Sequence, residues 1–165
     1  MTERQLRSQA RGLLRDLGYR RTPPPAELCR RLSEQLGHPI ELVGRSLPEI
    51  RSFGCVIPYP DRYHITYLTD LSVERQNYTI YHEIAHIVLG HLQPGKDGAP
   101  LMCGSLLIGS GEGPGGSLYD DRPEWEAETL GAILSSWSRL PIRANWGNLG
   151  RTGEALGRAF GGRGV

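Results

Sequence analysis

Cysteine is scarce in this chain: three residues in 165, at positions 29, 55 and 103, with no Cys-x-x-Cys pair. So low and odd a count excludes a disulfide framework and fits a reducing compartment, so a cytoplasmic protein is expected. Long apolar runs are also missing. The first residues, MTERQLRSQARG, are polar, and nothing approaches the roughly 18 consecutive apolar residues of a membrane span, so neither secretion nor insertion is expected. Charge of one sign is absent as well. The 19 Lys and Arg nearly cancel 18 Asp and Glu, leaving +1, which gives no overall field to gather nucleic acid or an anionic membrane. Gly (22) and Pro (12) together make about a fifth of the chain, below the roughly 25–30% that marks disorder. Length and composition predict a single domain over 1–165.

Periodicity predicts the elements. Leu6, Leu13, Leu14 and Leu17 recur at helical spacing with Arg4, Arg7, Arg11 and Arg15 on the other side, giving an amphipathic helix over 2–18 that Gly18 ends. After Thr22, Pro23, Pro24 and Pro25, a second helix carries Leu28, Leu32 and Leu36 and stops at Gly37, so 1–38 reads as an N-terminal helical hairpin. Residues 40–43, 53–57 and 63–68 are short β-prone runs, the last two separated by Pro58, Tyr59, Pro60 and Asp61. A small antiparallel sheet is expected. Ser72 is a good N-cap for a helix over 72–91, and Asp121 with Pro123 opens another that ends near 138. Between them, 93–121 is a glycine-rich flexible loop, and 139–165 is a weakly patterned tail with a short helix near 154–160.

Residues 82–86 read H-E-I-A-H. On a helix, positions i and i+4 lie about 40° apart, so His82 and His86 present two imidazoles to one metal ion. Glu83, turned about 100° from His82, stands beside the ion as a general base. Ile80, Ile84, Ile87 and Val88 cluster on the opposite side and would bury the helix. With the five His of this composition, about 0.01 matches to this pattern are expected by chance.

A catalytic zinc site usually takes three protein ligands and leaves the fourth position to water. His91 lies about 180° from His82 and faces away unless the helix breaks at Gly90. The H-E-x-x-H-x-x-G-x-x-H spacing is excluded, because Leu89 and Leu92 stand where Gly and His would be needed. The segment R-P-E-W-E-A-E-T-L-G supplies better candidates. Glu124 shares a helix face with Ala127 and Gly131, whose small size would let the two helices approach closely. Glu128, one turn on, is placed to orient a ligating histidine. Glu126 lines up with Leu130, Ile133 and Trp137 and is the alternative third ligand.

The stretches H-E-I-A-H-I-V-L-G-H, L-S-V-E-R-Q-N-Y-T-I and E-W-E-A-E-T-L-G-A-I-L together resemble the ImmA/IrrE family of bacterial zinc metallopeptidases, a gluzincin-like HExxH group. Ser72, Arg75, Thr79, His82, Glu83 and His86 match the family's first block, and Glu124, Ala127 and Leu134 its second. Glu128 stands where the family usually has Asn, and Leu130 and Gly131 where it has Phe-Ala. The resemblance, which spans roughly residues 50–138, implies Zn²⁺ on His82, His86 and Glu124 with Glu83 as catalytic base. It also implies an α+β fold in which a small antiparallel sheet packs on a helical zincin-like core (39–138), and a substrate that is a helix-turn-helix repressor or antitoxin-like regulator. Tyr78, Tyr81 and Arg122 are the candidates for stabilising an oxyanion.

Other readings compete. Gly111, Gly113 and Gly116 match G-x-G-x-x-G but follow no convincing strand, so a dinucleotide site is not expected. The first 31 residues hold eight Arg against Glu3, Asp16 and Glu27; a solvated helix face explains these, and direct nucleic-acid binding is not expected. The rival from another class is a catalytically silent module that holds zinc for structure and sequesters a transcription factor or antitoxin. Glu83 favours the enzyme, since a structural site does not require it.

Overall fold

Local capping chemistry sets the helix boundaries. In the computed structural model, which describes residues 1–46, 53–92 and 122–138, helix α1 (Glu3–Asp16) opens on Thr2 in a capping box with Gln5. Helix α2 (Pro25–Leu36) has Pro at its first position and ends on Gly37 in the left-handed conformation. Helix α3 (Val73–Leu89) starts at Ser72, whose hydroxyl accepts from the Arg75 amide, and ends at Gly90 with φ 69°. Helix α4 spans Arg122–Trp137. Each helix ends within two residues of its predicted limit. The predicted loop 93–121, with its glycine motif, and the predicted tail 139–165 lie outside the described residues.

Three strands follow the helical pair: β1 (Ile40–Arg45), β2 (Gly54–Pro58) and β3 (Tyr63–Leu68). They form a mixed sheet of order β1-β3-β2, which corrects the antiparallel expectation. β2 and β3 make the expected antiparallel pair, from Gly54 opposite Tyr67 to Pro58 opposite Tyr63. β1 runs parallel to β3, from Ile40 opposite Tyr63 to Arg45 opposite Leu68. β3 takes the central place, where both of its edges are paired, and β1, which buries only Ile40, is one of the two edge strands. The architecture is α+β, as predicted.

The two N-terminal helices embrace the rest of the molecule. α1 packs on α4, while α2 lies against β1 and α3. Leu6 and Ala10 of α1, Leu28 and Leu32 of α2, Val56 and Ile65 of the sheet, Tyr81 and Ile84 of α3, and Leu130 and Leu134 of α4 share one core. The connection between α1 and α2 is anchored to the later helices: the Tyr81 hydroxyl donates to the Pro23 carbonyl at 2.9 Å, and the Thr22 amide to the Trp137 carbonyl at 3.3 Å. Among the described residues, no helix is long and apolar enough to cross a membrane.

Gly12, inside α1, has nothing within 4 Å of the place a Cβ would take. Gly12→Ala should therefore stabilise the protein by about 0.5–1 kcal/mol, since a mid-helix glycine costs backbone entropy and here saves no space. The check is thermal unfolding, with a higher Tm expected; a lower one would mean that α1 packs differently.

Candidate metal centre

Helix α3 is buried on all sides from Thr79 to His86, so its histidines are enclosed by neighbouring elements. α4 covers the histidine side. A Cβ on Gly131 would stand 2.9 Å from the His82 Cα and 3.1 Å from its amide nitrogen, and Ala127 beside it is fully buried. The small-residue face read from the sequence is therefore the contact itself. Closing the two backbones to this distance brings the first turn of α4 over the imidazoles.

That approach unites His82, His86 and Glu124, with one ligand atom from each lying within 4.8 Å of the others. His82 Nε2 is 3.1 Å from His86 Nε2 and 3.0 Å from Glu124 Oε1, and His86 Nε2 is 3.8 Å from Glu124 Oε2. Ligands at about 2.0–2.1 Å around a tetrahedral zinc sit about 3.3 Å apart, so the trio brackets the spacing such an ion requires. Two imidazole nitrogens and a carboxylate oxygen are also a borderline donor set that suits zinc. The residues present fit a metal ion.

Among the described residues it is Glu124, and not the alternative Glu126, that joins the two histidines in a group able to hold a metal ion. Glu126 is buried too, but it is not part of the group formed by His82, His86 and Glu124. Its Oε1 accepts from Arg122 Nε at 3.2 Å and from the Met1 amine, and its Oε2 faces His91 Nε2 at 3.4 Å. Glu128 sits where a ligand-orienting carboxylate was expected. Its Oε2 lies 3.5 Å from His82 Nδ1, and its Oε1 accepts from the Tyr78 hydroxyl at 2.5 Å.

Burial and charge act oppositely on the two histidines. Burial pulls the His82 pKa down, but a hydrogen bond to the Glu124 carboxylate and the charges of Glu83, Glu124 and Glu128 outweigh it, and the net shift is upward. For His86, burial and the neighbouring His82 lower the pKa to about 4, against a smaller opposing effect of Glu124. His86 is thus neutral near pH 7, the form that coordinates a metal.

Glu83 is fully buried on the next position of the same helix and stands outside the three ligating atoms. Gly54, the first residue of β2, makes room for it: a Cβ there would lie 2.3 Å from Thr79 Cγ2 and 3.1 Å from Glu83 Oε1. This dependence of the carboxylate on a strand glycine left no local mark in the sequence. Of the oxyanion candidates, Tyr81 is spent on Pro23, Tyr78 bonds Glu128, and Arg122 bonds Glu126. Compared with models of protein families, with curated proteins and with solved structures, the chain matches none.

Proposed function

We propose that this protein is a zinc-dependent metalloendopeptidase of the ImmA/IrrE kind that works in the cytoplasm and cuts a helix-turn-helix repressor or antitoxin-like regulator. One observation carries the reading: a ligand atom from each of His82, His86 and Glu124 lies within 4.8 Å of the others while Glu83, on the same turn of α3, is buried outside that group. A structural zinc site has no use for that carboxylate, and burying one without a chemical role is costly.

Zinc held by the trio supplies a Lewis acid that lowers the pKa of water towards about 7. Glu83 takes a proton from the attacking water and passes it to the amide nitrogen as the peptide bond breaks. Glu128 Oε2 stands 3.5 Å from His82 Nδ1, on the side of the ring away from Glu124, where a carboxylate could steady the ring once a metal is bound.

Metal analysis at saturating zinc tests the ligand set. Glu124→Ala should lose stoichiometric zinc, and Glu126→Ala should keep it; the reverse would restore Glu126 as third ligand. The activity is tested by determining whether the adjacent reading frame encodes a helix-turn-helix protein and, where it does, incubating that protein with this one and zinc, with Glu83→Gln alongside. Cleavage by the native chain only is expected. A neighbour that is bound but never cut would favour the sequestering module.

A further inference from the structure

The connection between α1 and α2 meets the last turn of α4, where the Thr22 amide bonds the Trp137 carbonyl, and these segments border a hollow of about 540 Å³. That is the size of a small-molecule site, roughly 300–1,000 Å³. Arg11 and Leu14 of α1, Arg20 and Arg21 of the connection and Trp137 of α4 line it, and among the described residues no Asp or Glu does. A second hollow adjoins the first, shares Arg20 and Arg21 with it, and reaches Thr22.

We propose that the joined hollows bind a small organic phosphate, a phosphomonoester about the size of a mononucleotide. The arginines here differ from most of the others in this basic segment. Arg7 meets Glu3 at 2.8 Å, Arg15 meets Asp16 at 3.1 Å, Arg30 meets Glu27 at 2.6 Å and Arg31 meets Glu34 at 3.3 Å. Among the described residues, Arg11, Arg20 and Arg21 have no carboxylate partner, and Arg11 lies instead over the Trp137 ring, 5.7 Å from its centroid. Guanidinium groups only donate hydrogen bonds, so three of them facing one hollow call for a ligand rich in acceptors and negative charge. A carboxylate would balance one of the three charges. A phosphomonoester brings about 1.5–2 negative charges near pH 7, with three acceptor oxygens.

Thr22 points to a ligand independently. It is 2% exposed, and its hydroxyl has no hydrogen-bond partner, which costs stability until an acceptor arrives. A phosphate oxygen would be that acceptor, while Leu14 and Trp137 offer an apolar wall to the organic part. A nucleic-acid strand fits less well, because it needs a continuous basic track. Arg7 and Arg15, on either side of Arg11 along α1, are engaged by carboxylates, which confines the unbalanced charge to the hollow. The site lies about 20 Å along α4 from Glu124 and rests on neither zinc nor peptidase activity.

Isothermal titration calorimetry of the full-length protein at fixed ionic strength tests it, with adenosine monophosphate (AMP), inorganic phosphate and adenosine as probes. AMP should bind, phosphate more weakly, and adenosine not at all. Arg11→Gln and Arg21→Gln should each weaken AMP by about tenfold or more, the usual effect of losing a charge-assisted hydrogen bond. Arg7→Gln, which removes the same charge from α1 outside the hollow, should leave AMP binding unchanged, as should Glu124→Ala at the metal centre. Thr22→Val keeps the side chain's shape; it should raise the Tm of the free protein and yet weaken AMP, a combination that a purely structural threonine would not give.

No AMP binding to the native protein at millimolar concentration, adenosine binding as tightly as AMP, or an equal loss in Arg7→Gln would each overturn the proposal. So would loss of AMP in Glu124→Ala, which would move the phosphate to the metal centre. A single-stranded oligonucleotide without terminal phosphate that bound more tightly than AMP, and was weakened by Arg11→Gln and Arg21→Gln, would replace the small-molecule site with a nucleic-acid surface.

Discussion

Replacing Glu83 by Gln should leave zinc bound and lower peptide cleavage by about 10²–10⁴-fold, the usual contribution of a positioned general base. The substitution keeps the shape of the side chain, so the close fit against Gly54 and Thr79 survives. It also takes a fully buried carboxylate out of the interior, so stability should be unchanged or higher. Three readouts therefore move in different directions: zinc content constant, Tm constant or raised, activity gone. A misfolded variant would lose all three together. Proteolysis that continued at the native rate would show that some other group takes the proton, and with it the role assigned to Glu83 would go.

Gly131→Val should destabilise the fold and empty the metal centre together. Where a glycine sits in an open helix, a larger residue gains up to about 1 kcal/mol in helix propensity, which is the expectation for Gly12→Ala. At Gly131 the neighbour is the backbone of His82, 2.9 Å from the new Cβ, and backbone does not rotate aside. Overpacking of this kind costs about 1–3 kcal/mol, and a β-branched side chain brings two further carbons to the same contact. The helices must separate, which carries Glu124 away from the histidines. Reduced Tm with parallel loss of zinc affinity is expected, measured by thermal unfolding and chelator competition. Full zinc affinity in a destabilised Gly131→Val would show that α4 can move away without taking its carboxylate from the ion.

The glycine contrast explains why the two substitutions differ although both positions lie within helices. Gly12 and Gly131 look alike in sequence, each a break in a helical pattern. Only the neighbour that a side chain would meet separates them, and that neighbour is more than forty residues away in the chain for Gly131.

What the sequence determined by itself was everything with a short period. Ser72 and Gly37 fixed helix ends through capping bonds that span a few residues, and the i, i+4 spacing of His82 and His86 placed two ligands on one face before any tertiary contact was known. Ala127 and Gly131 marked the contact face of α4, and with it Glu124. Strand pairing was not legible, because alternation tells which face of a strand is buried but not which strand lies beside it, and the parallel pairing of β1 with β3 is a long-range contact. Nor was the approach of His91 to Glu126, since it depends on the chain turning back at Gly90 to meet a helix from a distant part of the sequence. Local rules gave the residues of the centre their directions; only the approach of α4 onto α3, as close as a glycine allows, decided which carboxylate reaches the histidines and which one stands behind them.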